Sequence, residues 1–384
     1  MQNKIRVCHI CDRITGKADG VFAHLLMLLR NIDNHRFEQI VIYQGGEVVK
    51  DELKKFGVKV FIVPGLSKRI SIYSLVRILK ILRNEKIDII QTHLLKPYML
   101  AGLINIFHKK KLIFNYHGLF IDSIFHGFFE KQVLYAIHSL ICFTKAVDIA
   151  IVPSKFSKQK LETETKLFPK IEIYYNGFDG RLDKSIDSVI VDELKNRKTN
   201  SFLIGIIARL EIQKRIDLSL LILKKLIESG YSVFFAFFGD GPLENEMKNL
   251  SHNLGVNNNC KFYGFVRQAS NCIKYFDTIL FTSDWEGLPL TYWEAMANSV
   301  PIVSTDVGGA IEILVENNCG LVYPIGNIYE GEKAIIRLME DETLRLLLGQ
   351  NGKNAIQTKY SVKSFKSFFE NLYNELMAKK IHNG

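Results

Sequence analysis

The sequence has no long uninterrupted hydrophobic run. Its most apolar stretch, residues 87–107, contains Asp88, His93 and Lys96, whereas a helix that spans a bilayer needs roughly 18 to 20 residues with few or no charges. The first residues, MQNKIRVCHICDR, read as a short strand and lack the roughly 7 to 15 apolar residues of a secretory signal. We therefore expect a cytoplasmic protein that does not cross a membrane.

Cysteine is scarce and has no regular spacing. There are 6 cysteines in 384 residues, a usage that favours a reducing compartment and buried thiols. Cys8 and Cys11 form a CxxC pair, but they lie along an apparent strand, whereas a redox pair sits where a loop enters a helix. No second CxxC and no HxxxH pattern accompanies them. The sequence therefore predicts packing thiols and no metal site.

Length and charge suggest two domains with different partners. The chain has 384 residues, 47% of them hydrophobic, which is too long for one average core and suits two domains. Its net charge is +10; residues 1–175 hold 27 Lys and Arg against 15 Asp and Glu, and the rest hold 23 against 25. A basic first half predicts an anionic partner there, whether a phosphate-bearing substrate, a membrane surface or nucleic acid.

Short β-branched runs alternate with longer amphipathic stretches in the first half. Apolar residues recur at three and four in Val21–Asn31 and Ser71–Asn84, as expected of helices. This alternation predicts a parallel sheet covered on both faces. The predicted strands are Ile5–Cys11, Phe37–Tyr43, Lys59–Val63, Asp88–Thr92, Leu112–Tyr116 and Ile149–Val152.

A second alternation follows a polar interruption. It begins with SFLIGIIARL and continues with a helix from about Gln213 to Ser229, the strand VFFAFFG and a helix from about Leu243 to Leu254. The fold class we expect is therefore α/β, with two doubly wound parallel sheets. The predicted ranges are a first domain at 1–178, a connection at 179–200, a second domain at 201–360, and a C-terminal helix at 361–384 that packs back on the first domain.

Two glutamates follow a predicted strand at the place where open α/β sheets bind ligands. The segment Thr282–Gly309 comes after the apolar strand Thr278–Phe281, carries Glu286 in a loop and passes Pro289 into a helix that bears Glu294. Free N–H groups at a helix start suit a diphosphate, and each carboxylate can accept from two hydroxyls of a ribose or a sugar. The alternative is a solvated loop acid and a helix-start acid favoured by the dipole.

Two cations and a pair of glycines follow other strands of the second half. Arg209 and Lys214 flank the strand-to-helix turn within Ile206–Asp217, where cations can neutralise a diphosphate leaving group; the alternative is ordinary surface charge. Gly239 and Gly241 imitate a dinucleotide fingerprint whose third glycine is missing. They indicate a tight turn near a nucleotide base rather than an NAD site.

In the first half, small and imidazole side chains follow the predicted strands. Asp19 and Gly20 lie between the first strand and the first helix, where glycine lets the backbone approach a phosphate. His117 precedes Gly118 at the end of LIFNYH, where it can face a ligand and hydrogen-bond a sugar hydroxyl. His93 is a weaker candidate of the same kind. The alternative for both is a histidine satisfied within a turn.

Taken together, these segments resemble the family 4 glycosyltransferases, retaining enzymes of the GT-B fold in which two Rossmann-like domains face each other across a cleft. The most specific part is SDWEGLPLTYWEAMA, with seven residues between Glu286 and Glu294, followed by VPIVSTDVGGAIEIL. ARLEIQK, GDGPLENEM, IYYNGFD and NYHGL are similar to the family's diphosphate segment, glycine turn, interdomain segment and first-domain histidine. The similarity covers nearly the whole chain.

The resemblance implies a front-face substitution in which the leaving diphosphate helps to deprotonate the incoming hydroxyl. It implies no covalent intermediate, no metal and no cofactor beyond a nucleotide diphosphate sugar as co-substrate, and the sequence has no Asp-x-Asp motif. The implied residues are His117 and Glu286 at the reacting centre, Arg209 and Lys214 with the donor diphosphate, Glu294 with the ribose, Glu286 with the donor sugar, and Gly20, Gly239 and the backbone of Gly287, Leu288, Pro289 and Leu290 around the donor.

The chain departs from the family pattern at several positions. Arg215 follows Lys214, and Ser299 precedes Val300-Pro301, where glycine is common in the family; Asp19-Gly20 stands where many members have paired glycines. None of these departures removes a charged site residue. They concern the donor's identity and the geometry of the loops.

The acceptor is expected on the basic first domain. Leu119–Phe143 is rich in Phe, Ile and Leu and follows Lys109, Lys110 and Lys111. Such a surface would suit a lipid-diphosphate sugar acceptor at an anionic membrane. The alternative, which the sequence favours for the helix itself, is a buried helix that closes the cleft, beside a solvated lysine turn.

The resulting hypothesis is a retaining transferase that moves a hexose or N-acetylhexosamine from a nucleotide diphosphate sugar, with UDP favoured, to a saccharide or a lipid-linked saccharide. We expect it to act in bacterial surface polysaccharide biosynthesis, on the inner face of the cytoplasmic membrane. One alternative is a nucleotide-sugar epimerase of the same fold, which would need no acceptor. Another is a non-catalytic protein that binds anionic membranes on a transferase scaffold. No nucleic-acid-binding module is recognisable, so nucleic acid is not an expected partner.

Overall fold

The computed structural model describes residues 4–13, 20–45, 47–66, 72–117, 127–178 and 187–378. Asp19, Gly118 and the beginnings of two predicted segments, 119–143 and 179–200, lie outside these ranges. The chain divides into two compact units: Met1–Asn176 together with Val362–Gly384, and Gly177–Ser361. The helix Ser188–Lys198 falls within the range predicted as a connection and is counted with the second unit.

The first unit contains a seven-stranded parallel sheet. Its strands are β1 (Ile5–Arg13), β2 (Phe37–Gln44), β3 (Lys59–Ile62), β4 (Ile89–His93), β5 (Lys111–Asn115), β6 (Ile149–Val152) and β7 (Ile171–Ile173), in the order β3-β2-β1-β4-β5-β6-β7. Its helices are α1 (Gly20–Asn31), α2 (Glu47–Lys54), α3 (Ile72–Asn84), α4 (Leu95–His108), α5 (Phe128–Phe143), α6 (Lys155–Glu164) and α13 (Val362–Ala378).

The C-terminal helix α13 packs against the sheet of the first unit. Its buried side chains recur at helical spacing and join a core that includes Val7, Ile89 and Ile113 of the sheet. One polar contact crosses this core, because the Tyr373 hydroxyl donates to Gln91 Oε1 at 2.6 Å. The buried face of the helix is formed by Phe365, Phe369, Leu372, Tyr373 and Leu376.

The second unit contains a six-stranded parallel sheet. Its strands are β8 (Phe202–Ile207), β9 (Val233–Phe238), β10 (Cys260–Phe262), β11 (Thr278–Phe281), β12 (Ile302–Thr305) and β13 (Gly320–Tyr323), in the order β10-β9-β8-β11-β12-β13. Its α-helices are α7 (Ser188–Lys198), α8 (Ile216–Glu228), α9 (Glu244–Asn253), α10 (Leu290–Ala297), α11 (Ile328–Glu340) and α12 (Glu342–Thr358).

Both sheets confirm the predicted α/β class and its doubly wound parallel sheets. In each one, the first strand of the unit lies beside the fourth, which is the order of a Rossmann-like sheet. The helix predicted from Gln213 begins later, because the short 3₁₀ turn Ile212–Lys214 and the left-handed residue Arg215 precede α8. Among the described residues, no helix has the length and apolar character needed to cross a membrane.

The two thiols of the CxxC pattern are both buried in β1. Burial raises the pKa of the Cys8 thiol, so it stays protonated and is a poor nucleophile. Both residues belong to hydrophobic clusters on the sheet. This placement agrees with a packing role.

We expect Tyr373→Phe to destabilise the first unit by about 1 to 3 kcal/mol, because the buried Gln91 carbonyl loses its donor. Tyr231→Phe is the matched control, since its hydroxyl donates to Glu340 at the exposed surface of the second unit and should change stability by less than about 0.5 kcal/mol. Urea unfolding monitored by hydrogen exchange measures both, with peptides from β4 and α13 for Tyr373→Phe and peptides from β9 and α11 for Tyr231→Phe. Equal losses of stability in the two variants would show that the buried hydrogen bond stabilises the protein no more than the exposed one.

Candidate functional site

The candidate site of the second unit lies at the carboxyl ends of β8 and β11. These neighbouring strands are the first and fourth of the unit, so the connections that leave them run to opposite sides of the sheet. Ligands of open α/β sheets bind in the crevice at this position. The turn after β8 carries Lys214, and the loop after β11 carries Glu286.

Lys214 and Glu286 form an ion pair that joins the two loops. The Lys214 ammonium contacts Glu286 Oε1, and their side chains are 19% and 8% exposed. Ser283 Oγ donates to the same carboxylate oxygen at 2.7 Å. Among the described residues, no group donates to Glu286 Oε2, so this oxygen remains available to accept a hydrogen bond from a ligand hydroxyl.

The backbone of the two loops is held together next to this ion pair. Thr282 Oγ1 lies 2.9 Å from the carbonyl oxygens of both Lys214 and Arg215. The Asp284 amide donates to the Gln213 carbonyl at 2.9 Å. These contacts fix the turn after β8 against the loop after β11, so the charged side chains meet in a defined geometry.

Arg215 adds an ionic contact across the same two loops. Its backbone is left-handed, with φ 47°, a region that favours glycine. Its guanidinium donates to both oxygens of Asp284, at 3.1 and 3.2 Å, and to Asp217. These acceptors raise the pKa of the Arg215 guanidinium further above its ordinary range.

Arg209 is set apart from this ion pair. Its side chain is 70% exposed and binds Glu211 at 2.7 Å. Within the described part of the chain, no contact joins it to Lys214 or Glu286. The structure therefore leaves Arg209 as an exposed cation in the segment after β8, with a partner that a polyanionic ligand can replace.

Gly239 shapes the turn that follows β9. Its φ is 133°, and a Cβ there would meet the Ala208 carbonyl oxygen at 2.0 Å. Its amide donates to the Gly264 carbonyl at 2.8 Å. A glycine is therefore required for the loop after β9 to lie against the segment after β8.

The segment Gly287–Leu290 leads from the Glu286 loop into α10. Pro289 is the N-cap residue, and Leu290 is the first helical residue. The Gly287 carbonyl accepts from the Gly309 amide at 3.2 Å, and a Cβ on Gly308 would meet that carbonyl oxygen at 2.1 Å. Gly287 and Leu288 thus lie in a loop packed closely on the loop after β12.

Glu294 lies half-buried on α10. Burial raises the pKa of its carboxyl, while a hydrogen bond to Ser270 acts in the opposite direction. Across the described ranges, no contact joins Glu294 to Glu286, so the two predicted acids are separate features. In the same ranges, no three His, Cys, Asp or Glu side chains lie together in an arrangement that could hold a metal ion.

In the first unit, the predicted residues Gly20 and His117 fall at a helix start and after a strand. Gly20 is the first residue of α1. His117 follows β5, is half-buried, and lies with Nε2 3.3 Å from His93 Nδ1. His93 is fully buried, so it is an internal partner of the half-buried His117 and is not itself accessible.

Two further histidines belong to the same cluster. His9 on β1 and His24 on α1 are both buried, and burial lowers the pKa of each to about 4. The His24 ring lies 5.3 Å from the His117 ring and 5.7 Å from the His93 ring, measured between centroids. Burial also holds the pKa of His93 and His117 well below the ordinary value, so the four imidazoles are neutral at pH 7.

The sequence did not reveal several of these groups. Ser283, Thr282 and Asp284 stand next to the expected acid, and their position directly after a buried strand is the signal that could have found them. His9 and His24 lie inside apolar runs and read as core residues. Their contribution depends on which strands are neighbours, which the sequence does not specify.

Comparison with known proteins gives two family matches that follow one another along the chain. The family described as Glycosyltransferase Family 4 matches residues 18–181, and the family described as Glycosyl transferases group 1 matches residues 191–355. The ion pair Lys214–Glu286 lies within the second match, and the histidine His117 lies within the first.

Curated relatives match over most of the chain at low identity. The UDP-Gal:alpha-D-GlcNAc-diphosphoundecaprenol alpha-1,3-galactosyltransferase of Escherichia coli is 24% identical over 98% of this chain and 99% of its own length. The capsular polysaccharide biosynthesis glycosyltransferase CapM of Staphylococcus aureus is 22% identical over 85% of this chain and 88% of its own length.

A solved structure shares the fold over nearly the whole chain. Anabaena Alr3699/HepE in complex with UDP superposes with a TM-score of 0.81 at 18% identity, and the match covers 97% of this chain and 100% of that one. At this identity the likeness concerns the fold, which is the GT-B fold of two Rossmann-like domains. The family matches, the relatives and the fold agree: the chain belongs to the family 4 glycosyltransferases of the GT-B fold and is a glycosyltransferase.

Proposed function

We propose that this glycosyltransferase moves a hexose or N-acetylhexosamine from a UDP sugar to a saccharide or lipid-linked saccharide, with retention of the anomeric configuration. The observation that carries the proposal is the ion pair Lys214–Glu286 at the switch point of the second sheet. The names of the relatives support the substrate classes, because one acts on a lipid diphosphate saccharide and another in capsular polysaccharide synthesis. The pathway proposed is bacterial surface polysaccharide biosynthesis.

In the proposed donor complex, Lys214 and Arg209 bind the diphosphate and Glu286 binds the sugar. An ammonium has three N–H donors, so Lys214 can keep Glu286 and contact a phosphate oxygen at once. Arg209 is exposed and can exchange Glu211 for phosphate. Glu294 takes the ribose hydroxyls, and the remaining donor contacts come from the backbone of Gly20, Gly239, Gly287, Leu288, Pro289 and Leu290.

The proposed reaction is a front-face substitution. The bond from the anomeric carbon to the diphosphate oxygen breaks, the bond to the acceptor oxygen forms on the same face, and the acceptor proton passes to the leaving diphosphate. Lys214 and Arg209 stabilise the charge that develops on the diphosphate, and His117 hydrogen-bonds a hydroxyl at the reacting centre. We propose that the protein itself supplies these groups, without a metal or a cofactor.

We expect Lys214→Met and Glu286→Gln each to lower kcat/KM by about a hundredfold or more, the cost of removing one preorganised contact to a developing charge. Lys248→Met is the matched control, because Lys248 pairs with Glu244 within α9, where the two side chains are 44% and 27% exposed; it should retain activity within about twofold. The assay follows product formation from UDP sugars and lipid-linked saccharides, with NMR of the new linkage. An inverted product would refute retention, and turnover of the donor sugar without an acceptor would indicate an epimerase.

Arg215 offers a separate test of the loop geometry. Both Arg215→Gly and Arg215→Ala remove the contacts to Asp217 and Asp284, so we expect the donor KM to rise about two- to fivefold, as for a partly exposed ion pair worth about 0.5 to 1 kcal/mol. Only glycine relieves the left-handed backbone at φ 47°. Arg215→Gly should therefore be about 1 kcal/mol more stable than Arg215→Ala in urea unfolding. Equal stability of the two variants would contradict a strained backbone.

We also propose that the first unit contacts an anionic membrane through α3, α4 and α5, which would place the enzyme on the cytoplasmic face. The sequence favoured a buried helix for this segment, and that expectation is wrong for α5, because Phe129 and Phe143 are 83% and 88% exposed. Helix α4 packs against both α3 and α5. Exposed apolar side chains on these three helices are Ile72, Tyr73, Val76, Phe107, Phe129, Val133, Leu140 and Phe143.

Cationic side chains accompany this apolar surface. Arg77 and Lys80 are exposed on α3, and Lys109 and Lys145 are exposed directly after α4 and α5. Apolar side chains that enter the interface and cations that attract anionic headgroups are the two components of peripheral binding. The basic excess of residues 1–175 has the sign that this contact needs.

We expect the double variant Phe129→Ser/Phe143→Ser to bind vesicles of phosphatidylglycerol and phosphatidylcholine about tenfold or more weakly, because each Phe contributes about 1.5 to 3 kcal/mol when buried. Phe265→Ser is the control, since Phe265 is 65% exposed but lies in the second unit. Sedimentation with vesicles measures binding. Unchanged binding of the double variant, or equal binding to pure phosphatidylcholine, would refute the contact.

A further inference from the structure

A chain of hydrogen-bonded side chains crosses four strands of the first unit and ends at His117. Gln39 Oε1 on β2 lies 2.6 Å from His9 Nε2 on β1. His9 Nδ1 lies 3.3 Å from His93 Nε2 on β4, and His93 Nδ1 lies 3.3 Å from His117 Nε2 after β5. The chain begins in the core and ends at a half-buried ring.

The strand order and register explain why these side chains meet. From Gln39 to His9, to His93 and to His117, each residue lies on or after the neighbouring strand. Each also lies two positions closer to the carboxyl end of the sheet than the one before it. Side chains two residues apart share a face of a strand, so all four project from the same side of the sheet. The register that produces this places Gln39 opposite Val7, Gln91 opposite His9, and Asn115 opposite His93.

The hydrogen bonds between these four side chains all run in one donor-to-acceptor direction. A neutral imidazole has one donor nitrogen and one acceptor nitrogen. Because the Gln39 carbonyl accepts from His9 Nε2, His9 Nδ1 must accept from His93 Nε2, and His93 Nδ1 must accept from His117 Nε2. Every ring then carries its hydrogen on Nε2, and His117 is left with an unprotonated Nδ1.

Burial keeps the three imidazole rings neutral, and their neutrality preserves the head-to-tail order of the hydrogen bonds. The pKa of His9 is lowered to about 4, and those of His93 and His117 are lowered well below the ordinary value, in each case mainly by removal from water. An imidazolium would donate from both nitrogens and interrupt the head-to-tail order. Around pH 7 the three rings transmit one hydrogen-bond direction from Gln39 to His117.

We propose that Gln39, His9 and His93 are positioning residues that fix the tautomer of His117, so that its Nδ1 accepts a hydrogen bond from a hydroxyl of the bound sugar or acceptor. The contact between His117 and substrate rests on the proposed function. The tautomer itself does not, because it is set within the free protein. Among the described residues, no donor approaches His117 Nδ1, which leaves this nitrogen to a ligand.

The protein offers a matched pair of variants for a test of this proposal. Gln39→Met removes the acceptor that sets the direction while keeping the size of the side chain. Gln91→Met makes the same change on the same face of the sheet, where Gln91 accepts from Tyr373 and belongs to no imidazole chain. His24 is an internal reference, because Asn115 Nδ2 donates to its Nε2 at 3.0 Å and its Nδ1 faces Asn176 Oδ1 at 3.0 Å, so its hydrogen lies on Nδ1.

The test is NMR of the full chain with ¹⁵N-labelled histidine, in which the protonated and bare nitrogens of each ring are distinguished by chemical shift. Removal of His117 in a His117→Asn variant assigns its signals. We expect hydrogen on Nε2 of His9, His93 and His117 in the wild type and in Gln91→Met. In Gln39→Met, hydrogen should appear on His117 Nδ1 in a measurable fraction of molecules while His24 stays unchanged.

Kinetics then link the tautomer to catalysis. In Gln39→Met, kcat/KM should fall in proportion to the fraction of His117 that has lost the Nε2-protonated form, about twofold when both forms are equally populated. Gln91→Met should not follow this relation. A single unchanged His117 tautomer in Gln39→Met, or hydrogen on His117 Nδ1 in the wild type, would overturn the inference whether or not transfer is detected. A tautomer shift in a protein that transfers no sugar would instead refute the proposed function alone.

Discussion

The ion pair Lys214–Glu286 is the interaction on which the candidate site of the second unit depends. Both side chains are largely withdrawn from water, and the desolvation of two charges offsets much of their attraction unless further hydrogen bonds complete the geometry. Ser283 supplies one such bond, and the backbone contacts of Thr282 hold the loops that carry the charges. The site is therefore a product of the adjacency of β8 and β11, and any change that separates these strands leaves a buried charge without its partner.

The first unit has the same strand order, but neutral polar side chains lie where the second unit has charged ones. Its first and fourth strands, β1 and β4, carry His9 and His93 instead of an ion pair. Neutral imidazoles avoid the desolvation cost of buried charges, but they must be satisfied in a head-to-tail order. One sheet therefore presents fixed charge at its switch point, which suits a polyanion, and the other presents a directed neutral hydrogen bond, which suits a hydroxyl.

The sequence predicted the elements better than their contacts. Buried strands appear as β-branched and aromatic runs, so the six strands predicted in the first half are all present, with bounds that shift by a residue or two. Glu286 and Lys214 were predicted because charged residues directly after a buried strand lie at the edge where open α/β sheets bind ligands, and the structure brings the two side chains together. Gln39 and His9 were not found, since polar residues within VCHIC and FEQIV acquire partners only through the register of β1, β2 and β4. The separation of Arg209 from Lys214 likewise depends on side-chain directions that no spacing gives.

Two departures from the family resemblance combine a residue that has a Cβ with a left-handed backbone. Arg215 and Ser299 stand where glycine is common in the family, and both adopt positive φ, 47° and 59°. A left-handed backbone costs a residue with a Cβ roughly 1 to 2 kcal/mol, so this geometry is retained against the local preference of the side chain. At Arg215 the ionic contacts to Asp217 and Asp284 offset part of that cost and join the two loops that hold Lys214 and Glu286. In this chain the turn at Arg215 is thus specified by tertiary contacts to Asp217 and Asp284 rather than by the conformational freedom of a glycine.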